Sequence, residues 1–166
     1  MIPRRARQED LAEIVAIYNS TVASGQSTAD LQPVRIEQRQ AWFDAHRQPH
    51  RPLYVWRDNQ QNMAAWASFS DYYPREAYRI SAEISIYIHE SHRGRGLGRE
   101  ILAFMLALAP DLEIRNVLAV IFAHNAASLH LFERFGFETW GRLPAVCEMK
   151  SQTADVLILG KALTDH

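Results

Sequence analysis

Cysteine is almost missing from this sequence of 166 residues, which holds only Cys147. One cysteine cannot form a disulfide within the chain, so nothing points to secretion, and a metal site built on thiolates is excluded. We expect Cys147 itself to have no functional role. Nor does any metal-ligand spacing join His46, His50, His89 and His92, so no metal is expected.

Long apolar runs and an excess of charge of one sign are lacking as well. The longest apolar stretch, Ile101 to Pro110, falls short of the roughly 20 residues that cross a bilayer. The N-terminus lacks the apolar segment of a signal peptide. Basic and acidic side chains number 18 and 19, for a net charge of −1, whereas a nucleic-acid binder usually carries a basic excess. We therefore expect a cytoplasmic protein with no membrane and no nucleic-acid partner.

The composition is that of an ordinary globular protein, with 48% hydrophobic and 22% charged residues. No linker, repeat or low-complexity tract divides it, so residues 1–166 predict a single domain. Helical and alternating patterns follow one another as β-α-α-β-β-β-α-β-α-β-β, which predicts an α/β (α+β) protein with a mixed sheet flanked by helices. We expect the four tryptophans in the core. The predicted strands cover 2–6, 53–56, 63–69, 82–88, 117–122, 137–141 and 156–159, and the predicted helices cover 8–18, 34–46, 99–109 and 126–135.

The strongest candidate site is a glycine-rich loop between a predicted strand and a predicted helix. It reads His92-Arg93-Gly94-Arg95-Gly96-Leu97-Gly98-Arg99. Glycine lacks a Cβ, so the backbone can approach a ligand closely, and the following helix presents free N–H groups and a positive dipole end. With its three arginines the segment predicts a site for a phosphate-bearing ligand. A glycine-rich surface turn with solvated arginines is the alternative.

Two common phosphate-binding motifs do not fit this loop. A P-loop ends in Gly-Lys-Ser/Thr, whereas Gly98 is followed by Arg99, and the glycine spacing of a dinucleotide fingerprint is also absent. The segment matches Arg-x-x-Gly-x-Gly through Arg93, Gly96 and Gly98. It resembles the acetyl-CoA loop of the GNAT acetyltransferase superfamily.

A second pattern downstream extends this resemblance. Asn125 and Ser128 match the family's Asn-x-x-Ser, and the stretch from Phe132 to Phe137 matches its aromatic-Glu-Lys/Arg-x-Gly-Phe. The predicted element order matches the GNAT fold, with its mostly antiparallel sheet, over essentially the whole chain. Four further segments resemble the phosphinothricin acetyltransferase-like branch, whose members acetylate the α-amino group of small amino-acid analogues such as phosphinothricin, methionine sulfone or methionine sulfoximine. These segments are 17–21, 51–55, 82–88 and 92–96.

The resemblance implies a reaction and its participants. Acetyl-CoA is the implied donor, a small amine or amino acid is the implied acceptor, and the protein is expected to be a homodimer. Glu83 matches the family's candidate base, acting directly or through a water; a strand glutamate on a solvated face is the alternative. The main chain of Ile86, Tyr87 and Ile88 is expected to hold the pantetheine arm, with the Ile88 N–H polarising the thioester carbonyl.

Further cofactor contacts follow from the same resemblance. They are the loop residues Arg93 to Arg99, Asn125 and Ser128. Asn125 is also a good N-cap for the helix that starts at Ala126, and both roles can hold together.

The acceptor side of the site depends on fewer signals. A substrate carboxylate needs a cation or several N–H donors, and among the arginines Arg79 is the best placed and Arg75 the second. Tyr73, Tyr78 and Thr28 are candidates to line the pocket. Ordinary surface loop positions are the alternative for all five residues.

One position departs from the family pattern. Many GNAT enzymes carry a tyrosine there, and amino-acid-acetylating relatives often a histidine, either of which can protonate the leaving thiolate. This chain has Phe132, and His130, two positions earlier, is expected to point elsewhere on the helix. A non-catalytic acyl-CoA-binding regulatory domain and a protein or polyamine N-acetyltransferase therefore stay open as alternatives.

Overall fold

A computed structural model describes residues 1–163 and places their strands in one seven-stranded sheet, in the order β1-β2-β3-β4-β5-β7-β6. The strands are β1 (Pro3–Arg5), β2 (Leu53–Arg57), β3 (Met63–Asp71), β4 (Ser81–Ile88), β5 (Asn116–Phe122), β6 (Glu138–Glu148) and β7 (Thr153–Ala162). The α-helices are α1 (Leu11–Ser20), α2 (Ile36–Ala45), α3 (Leu97–Leu108) and α4 (Ala126–Arg134).

The pairing of the strands follows from how the chain connects them. Neighbouring strands run antiparallel except β4 and β5, which are parallel because α3 carries the chain back over the sheet between them. This confirms the predicted element order and the predicted mixed, mostly antiparallel sheet.

Each face of the sheet covers its own hydrophobic core. Ile14, Phe43 and Trp66 belong to the core under α1 and α2, and Ile84 and Met105 to the core under α3 and α4. Strand β4 contributes to both, because Ile84 packs on the α3 side while Tyr87 packs on the α1–α2 side. Its alternation is as predicted, with the isoleucines on one face and Glu83 on the other.

Three predicted details are corrected by the structure. Helix α3 starts at Leu97 rather than Arg99, since Gly96 serves as its N-cap. Strands β6 and β7 form a hairpin far longer than the short strands predicted at 137–141 and 156–159. Trp56 and Trp66 are buried as predicted, but Trp140 is 48% exposed and lies over Gly160, where a Cβ would overlap its ring.

Within residues 1–163, no helix combines the length and the apolar character needed to cross a bilayer.

Candidate active site

Strands β4 and β5 separate part-way along their length. Their pairing joins Ser81–Glu83 to Asn116–Leu118 and ends there, although β4 continues to Ile88 and β5 to Phe122. The cleft that opens between them has a volume of about 690 Å³. Its walls are β4, β5, the glycine loop, the start of α4 and the segment after α1.

The register of β3 and β4 decides which main-chain groups face this cleft. The His89 N–H donates to the Ala64 carbonyl at 2.8 Å, and the pairing runs on without a shift. Every second residue of an antiparallel strand forms its main-chain hydrogen bonds with the same neighbouring strand. Tyr87, two residues before His89, therefore bonds to β3, and the main chains of Ile86 and Ile88 point to the opposite side, into the cleft. The expected main-chain contact of Tyr87 with the cofactor is therefore corrected, whereas the main chains of Ile86 and Ile88 are directed towards the cleft as that contact requires.

The glycine loop leaves room for a ligand against its backbone. Gly94 and Gly96 have φ of +71° and +81°, and a Cβ on either would meet nothing within 4 Å. Glycine is favoured at such left-handed positions because other side chains are strained there. At Gly98 a Cβ would lie 3.3 Å from a Leu131 methyl and 3.5 Å from an Ile88 methyl, so this glycine lets α3 pack closely.

The loop's charged and apolar side chains divide between the cleft and its surroundings. Arg93 and Arg99 line the cleft, and the Arg93 Nε also donates to the Ile88 carbonyl at 3.1 Å. The exposed Arg95 is not among the lining residues, and the buried Leu97 belongs to the core under α3. Because α3 begins at Leu97, its first N–H groups lie beside the loop, as an anion site requires.

Glu83 lies in the wall of the same cleft, at the point where β4 leaves β5. Its side chain is half-buried, and among residues 1–163 no protein group donates a hydrogen bond to the carboxylate. Burial raises the pKa of the Glu83 carboxyl above its ordinary value. The buried Thr28 lines the cleft too, with its Oγ1 2.5 Å from the Tyr18 hydroxyl. The structure thus brings Glu83 and Thr28 together as predicted.

The start of α4 forms another wall of the cleft. The Asn125 side chain accepts a hydrogen bond from the Ser128 N–H at 3.2 Å, so Asn125 is the N-cap of α4, and both residues line the cleft. Phe132 lines it as well, with its ring 4.9 Å from that of Phe137. His130 is exposed and lies outside the lining residues. No proton donor therefore comes from the Phe132 position.

The predicted acceptor residues lie in a neighbouring cavity of about 780 Å³. Arg79, Arg75 and Tyr73 line it, and Tyr78 packs against Tyr73 with the two rings tilted and their centroids 5.1 Å apart. The cavity reaches Ile80, which directly precedes β4 and lies three residues, and therefore about 10 Å, before Glu83. The expectation of one pocket shared with Thr28 is corrected, because a single chain does not bring these residues into the cleft.

Arg51 has a structural part in this region that its sequence context did not reveal. It is 5% exposed, and its guanidinium donates to the Asp71 carboxylate at 2.7 Å and to the Arg79 carbonyl at 2.8 Å. It therefore ties the end of β3 to the turn that precedes β4. Little in the sequence indicated this role for Arg51, because its partner Asp71 is 20 residues away along the chain. No group of three or more possible metal ligands occurs within the part of the chain that the structure describes.

Comparison with known proteins agrees with this fold. Residues 13–137 match the model of the Acetyltransferase (GNAT) family. The chain belongs to this family and is an enzyme of the acyl-transferring class.

Relatives refine the position within the family. YwnH of Bacillus subtilis (strain 168) is 49% identical over 164 residues, covering 99% of this chain and 100% of YwnH. The L-methionine sulfoximine/L-methionine sulfone acetyltransferase of Pseudomonas paraeruginosa is 34% identical over 156 residues, covering 94% of this chain and 91% of that enzyme. A solved structure of a phosphinothricin acetyltransferase from Sinorhizobium meliloti in complex with AcCoA has a TM-score of 0.91 at 27% identity, covering 97% of this chain and 87% of that one. The chain falls in the phosphinothricin acetyltransferase-like branch.

Proposed function

We propose that this enzyme transfers the acetyl group of acetyl-CoA to the α-amino group of a small amino acid or analogue, with Glu83 as the general base. One observation carries the proposal: free main chain of β4, the open glycine loop and a desolvated carboxylate all line a single cleft. The activities named for the relatives, on phosphinothricin and on methionine sulfone or sulfoximine, support this class of acceptor.

The cleft suits acetyl-CoA, which supplies an activated acetyl thioester when bound. The main-chain groups of Ile86 and the N–H of Ile88 can pair with the amides of the pantetheine arm, as an added strand would, whereas the Ile88 carbonyl already accepts from the Arg93 Nε. The N–H groups of the loop around Gly94 and Gly96 suit the pyrophosphate. Arg93, Arg99, Asn125 and Ser128 complete the proposed contacts at the rim.

The chain's own groups can prepare the amine and the thioester for reaction. An α-ammonium must lose its proton before it can attack, and Glu83, in its carboxylate form, accepts that proton. A raised pKa makes the carboxylate a stronger base near neutral pH. The Ile88 N–H donates to the thioester oxygen as negative charge develops there. Phe132 offers no proton, so we propose that the thiolate leaves without help from that position.

The proposed acceptor groups give the neighbouring cavity a basic wall. Arg79 and Arg75 lie there before the start of β4, about 10 Å from Glu83, so they would attract an approaching substrate carboxylate rather than hold it while the α-amino group reacts at Glu83. Tyr73 forms part of the same wall, and Tyr78 packs against Tyr73. The cavity is also lined by His50, Arg51 and Arg115, against the acids Asp71, Glu76 and Glu113. A polyamine would need a predominantly acidic pocket, so this arrangement favours an amino acid.

A thiol-release assay over a panel of amines tests the proposal. We expect acetyl-CoA-dependent release with phosphinothricin, methionine sulfone or methionine sulfoximine, and slower release with common amino acids and polyamines. Binding of acetyl-CoA without thiol release on any amine would instead favour a regulatory binding domain. Fastest release with a polyamine would contradict the proposed acceptor class. The homodimer and the cytoplasmic location stay predictions.

A further inference from the structure

His46 is a buried imidazole to which the proposed reaction gives no part. It is 7% exposed at the end of α2, with Nδ1 2.7 Å from the Trp42 carbonyl and Nε2 3.0 Å from the Ser70 hydroxyl. Burial lowers the pKa of His46, which favours the neutral ring. A carbonyl can only accept a hydrogen bond, so the neutral ring carries its proton on Nδ1. In this neutral form Nε2 is an acceptor and takes a hydrogen bond from the Ser70 hydroxyl, while the Phe69 carbonyl beside the ring works in the opposite direction and favours the protonated ring.

Ser70 lies directly opposite Glu83 in the β3–β4 register. Directly opposed residues share one face of an antiparallel pair, with Cβ atoms about 5.5 Å apart. Among the described residues no hydrogen bond joins the two side chains, and a rotation of the Glu83 side chain would bring its carboxyl group to the Ser70 oxygen. Because its proton is committed to His46, Ser70 has only oxygen lone pairs to offer Glu83. A lone pair can accept from a protonated carboxyl group but cannot donate to a carboxylate.

We propose that His46, acting through Ser70, is a positioning residue that favours the protonated form of Glu83 and so makes Glu83 a better base. The inference depends on the proposed role of Glu83. The proton breaks its bond to the substrate nitrogen and forms one to a Glu83 oxygen, leaving a neutral amine. The new O–H donates a hydrogen bond to the Ser70 oxygen, whose own proton stays on Ser70 and faces His46.

Other titratable groups surround His46, Ser70 and Glu83, and the variants used in a test must leave these groups unchanged. Glu83 shares its face with Tyr87, near which lie Tyr18 from α1, Arg39 from α2 and Asp30 from the segment between them. The groups around His46 are Arg5 from β1, Arg47 after α2 and Asp71 from β3, with Asp71 paired to Arg51.

A carbon-13 NMR titration of the Glu83 carboxyl group in the full chain tests the inference, with the resonance assigned by its loss in Glu83→Gln. In Ser70→Ala the acceptor for the protonated acid is gone, so we expect the pKa of Glu83 to fall by roughly half a unit to one unit. The acid limb of the kcat profile should move the same way. The matched control Ser151→Ala, an exposed serine, should leave both unchanged.

Variants of His46 test whether it acts through Ser70. In His46→Phe the Ser70 proton is released and can turn to the carboxylate, so the pKa of Glu83 should fall at least as far as in Ser70→Ala. His46→Gln keeps an acceptor oxygen and should restore part of the shift. In the double variant, His46→Phe should add nothing to Ser70→Ala.

Several results would overturn the inference. An unchanged pKa of Glu83 in Ser70→Ala would show that Ser70 does not contact the acid, and a raised pKa would show that it donates to the carboxylate. A shift from His46→Phe that persists without Ser70 would exclude the indirect action. Full turnover in Glu83→Gln would instead remove Glu83 as the base, which would contradict the proposed function and not only this inference. If His46→Phe does not fold, the direction in which the pKa of Glu83 moves in Ser70→Ala decides the question alone.

Discussion

At the scale of single residues, the environment of Glu83 accounts for its proposed chemistry. Strand β4 is covered on both faces, so a carboxylate on it loses much of its hydration unless it meets a donor. Glu83 meets no donor among the described residues, and burial alone raises the pKa of its carboxyl group. Burying a carboxylate without a donor costs folding free energy, and such groups are found preferentially at sites that transfer protons. A carboxyl group with a raised pKa in a cleft is therefore a candidate functional residue.

Replacing Glu83 by glutamine tests this chemistry directly. Glu83→Gln keeps the shape but cannot accept a proton, so we expect kcat to fall by about 100-fold or more. Acetyl-CoA affinity, measured by calorimetry, should stay nearly unchanged because the loop and the β4 main chain are intact. Glu138→Gln, at an exposed position on β6, is the matched control. Unchanged turnover in Glu83→Gln would remove this residue from the mechanism.

At the scale of elements, the proposed cofactor-binding role of the glycine loop depends on its position, next to the point where β4 and β5 separate and at the start of α3. The end of β4 supplies free main chain, the left-handed Gly96 starts α3, and the helix N-terminus faces the cleft. Sequence spacing predicted the loop and both neighbouring elements. The separation of β4 from β5 has no local sequence signal, because it results from where pairing across the sheet ends.

Substitution of Gly96 separates strain from obstruction in this loop. Gly96→Glu adds bulk and charge where the pyrophosphate is proposed to lie, so we expect acetyl-CoA affinity to fall by about 100-fold or more, which corresponds to roughly 2.7 kcal/mol. Gly96→Ala has open space for its Cβ and should lose less, through backbone strain alone. Gly141→Ala, whose Cβ would make ordinary contacts with Ile158, is the control. Equal binding by Gly96→Glu and the control would refute the proposed loop contact.

The length of the β6–β7 hairpin was not predicted from local sequence patterns. Strand β6 is an edge strand with most of its side chains exposed, so the apolar alternation that predicts strands is weak there. Its register also shifts between Leu143 and Cys147, and Ala145 adopts a φ of +49°. Strand β6 owes its length to its pairing with β7 rather than to its own residues.

At the scale of the whole molecule, a buried ionic cluster joins the N-terminal segment to the sheet. Asp10 is fully buried and accepts from Arg4 of β1 at 2.8 and 3.0 Å, from Arg57 of β2 at 2.7 Å and from the Arg7 N–H at 2.7 Å. Burial works to raise the pKa of Asp10, but these hydrogen bonds outweigh it and hold the pKa at about 2.

Stability should therefore depend on the charge of Asp10. Because the folded pKa lies below the unfolded value, the contribution is complete above about pH 4 and is lost as pH falls towards 2. Asp10→Asn should lower the free energy of unfolding by about 3 kcal/mol at pH 7, since it leaves Arg4 without its carboxylate partner and Arg57 with Glu13 alone. Urea unfolding at pH 7 and pH 3 measures both effects, with Asp111→Asn as an exposed control. An equal loss for the two variants at pH 7 would contradict this account.

The sequence by itself determined the family and the element order, and it predicted the glycine loop and Glu83 as the candidate site. Each is written in residues close together along the chain, where glycine spacing, helix caps and strand alternation act locally. Only the tertiary structure decided that Tyr87 directs its main chain to β3 and that Arg79 lies in a separate cavity. It also decided that Ser70 lies opposite Glu83 in the strand register and is hydrogen-bonded to His46. These depend on register and on contacts between distant segments, which no local pattern specifies.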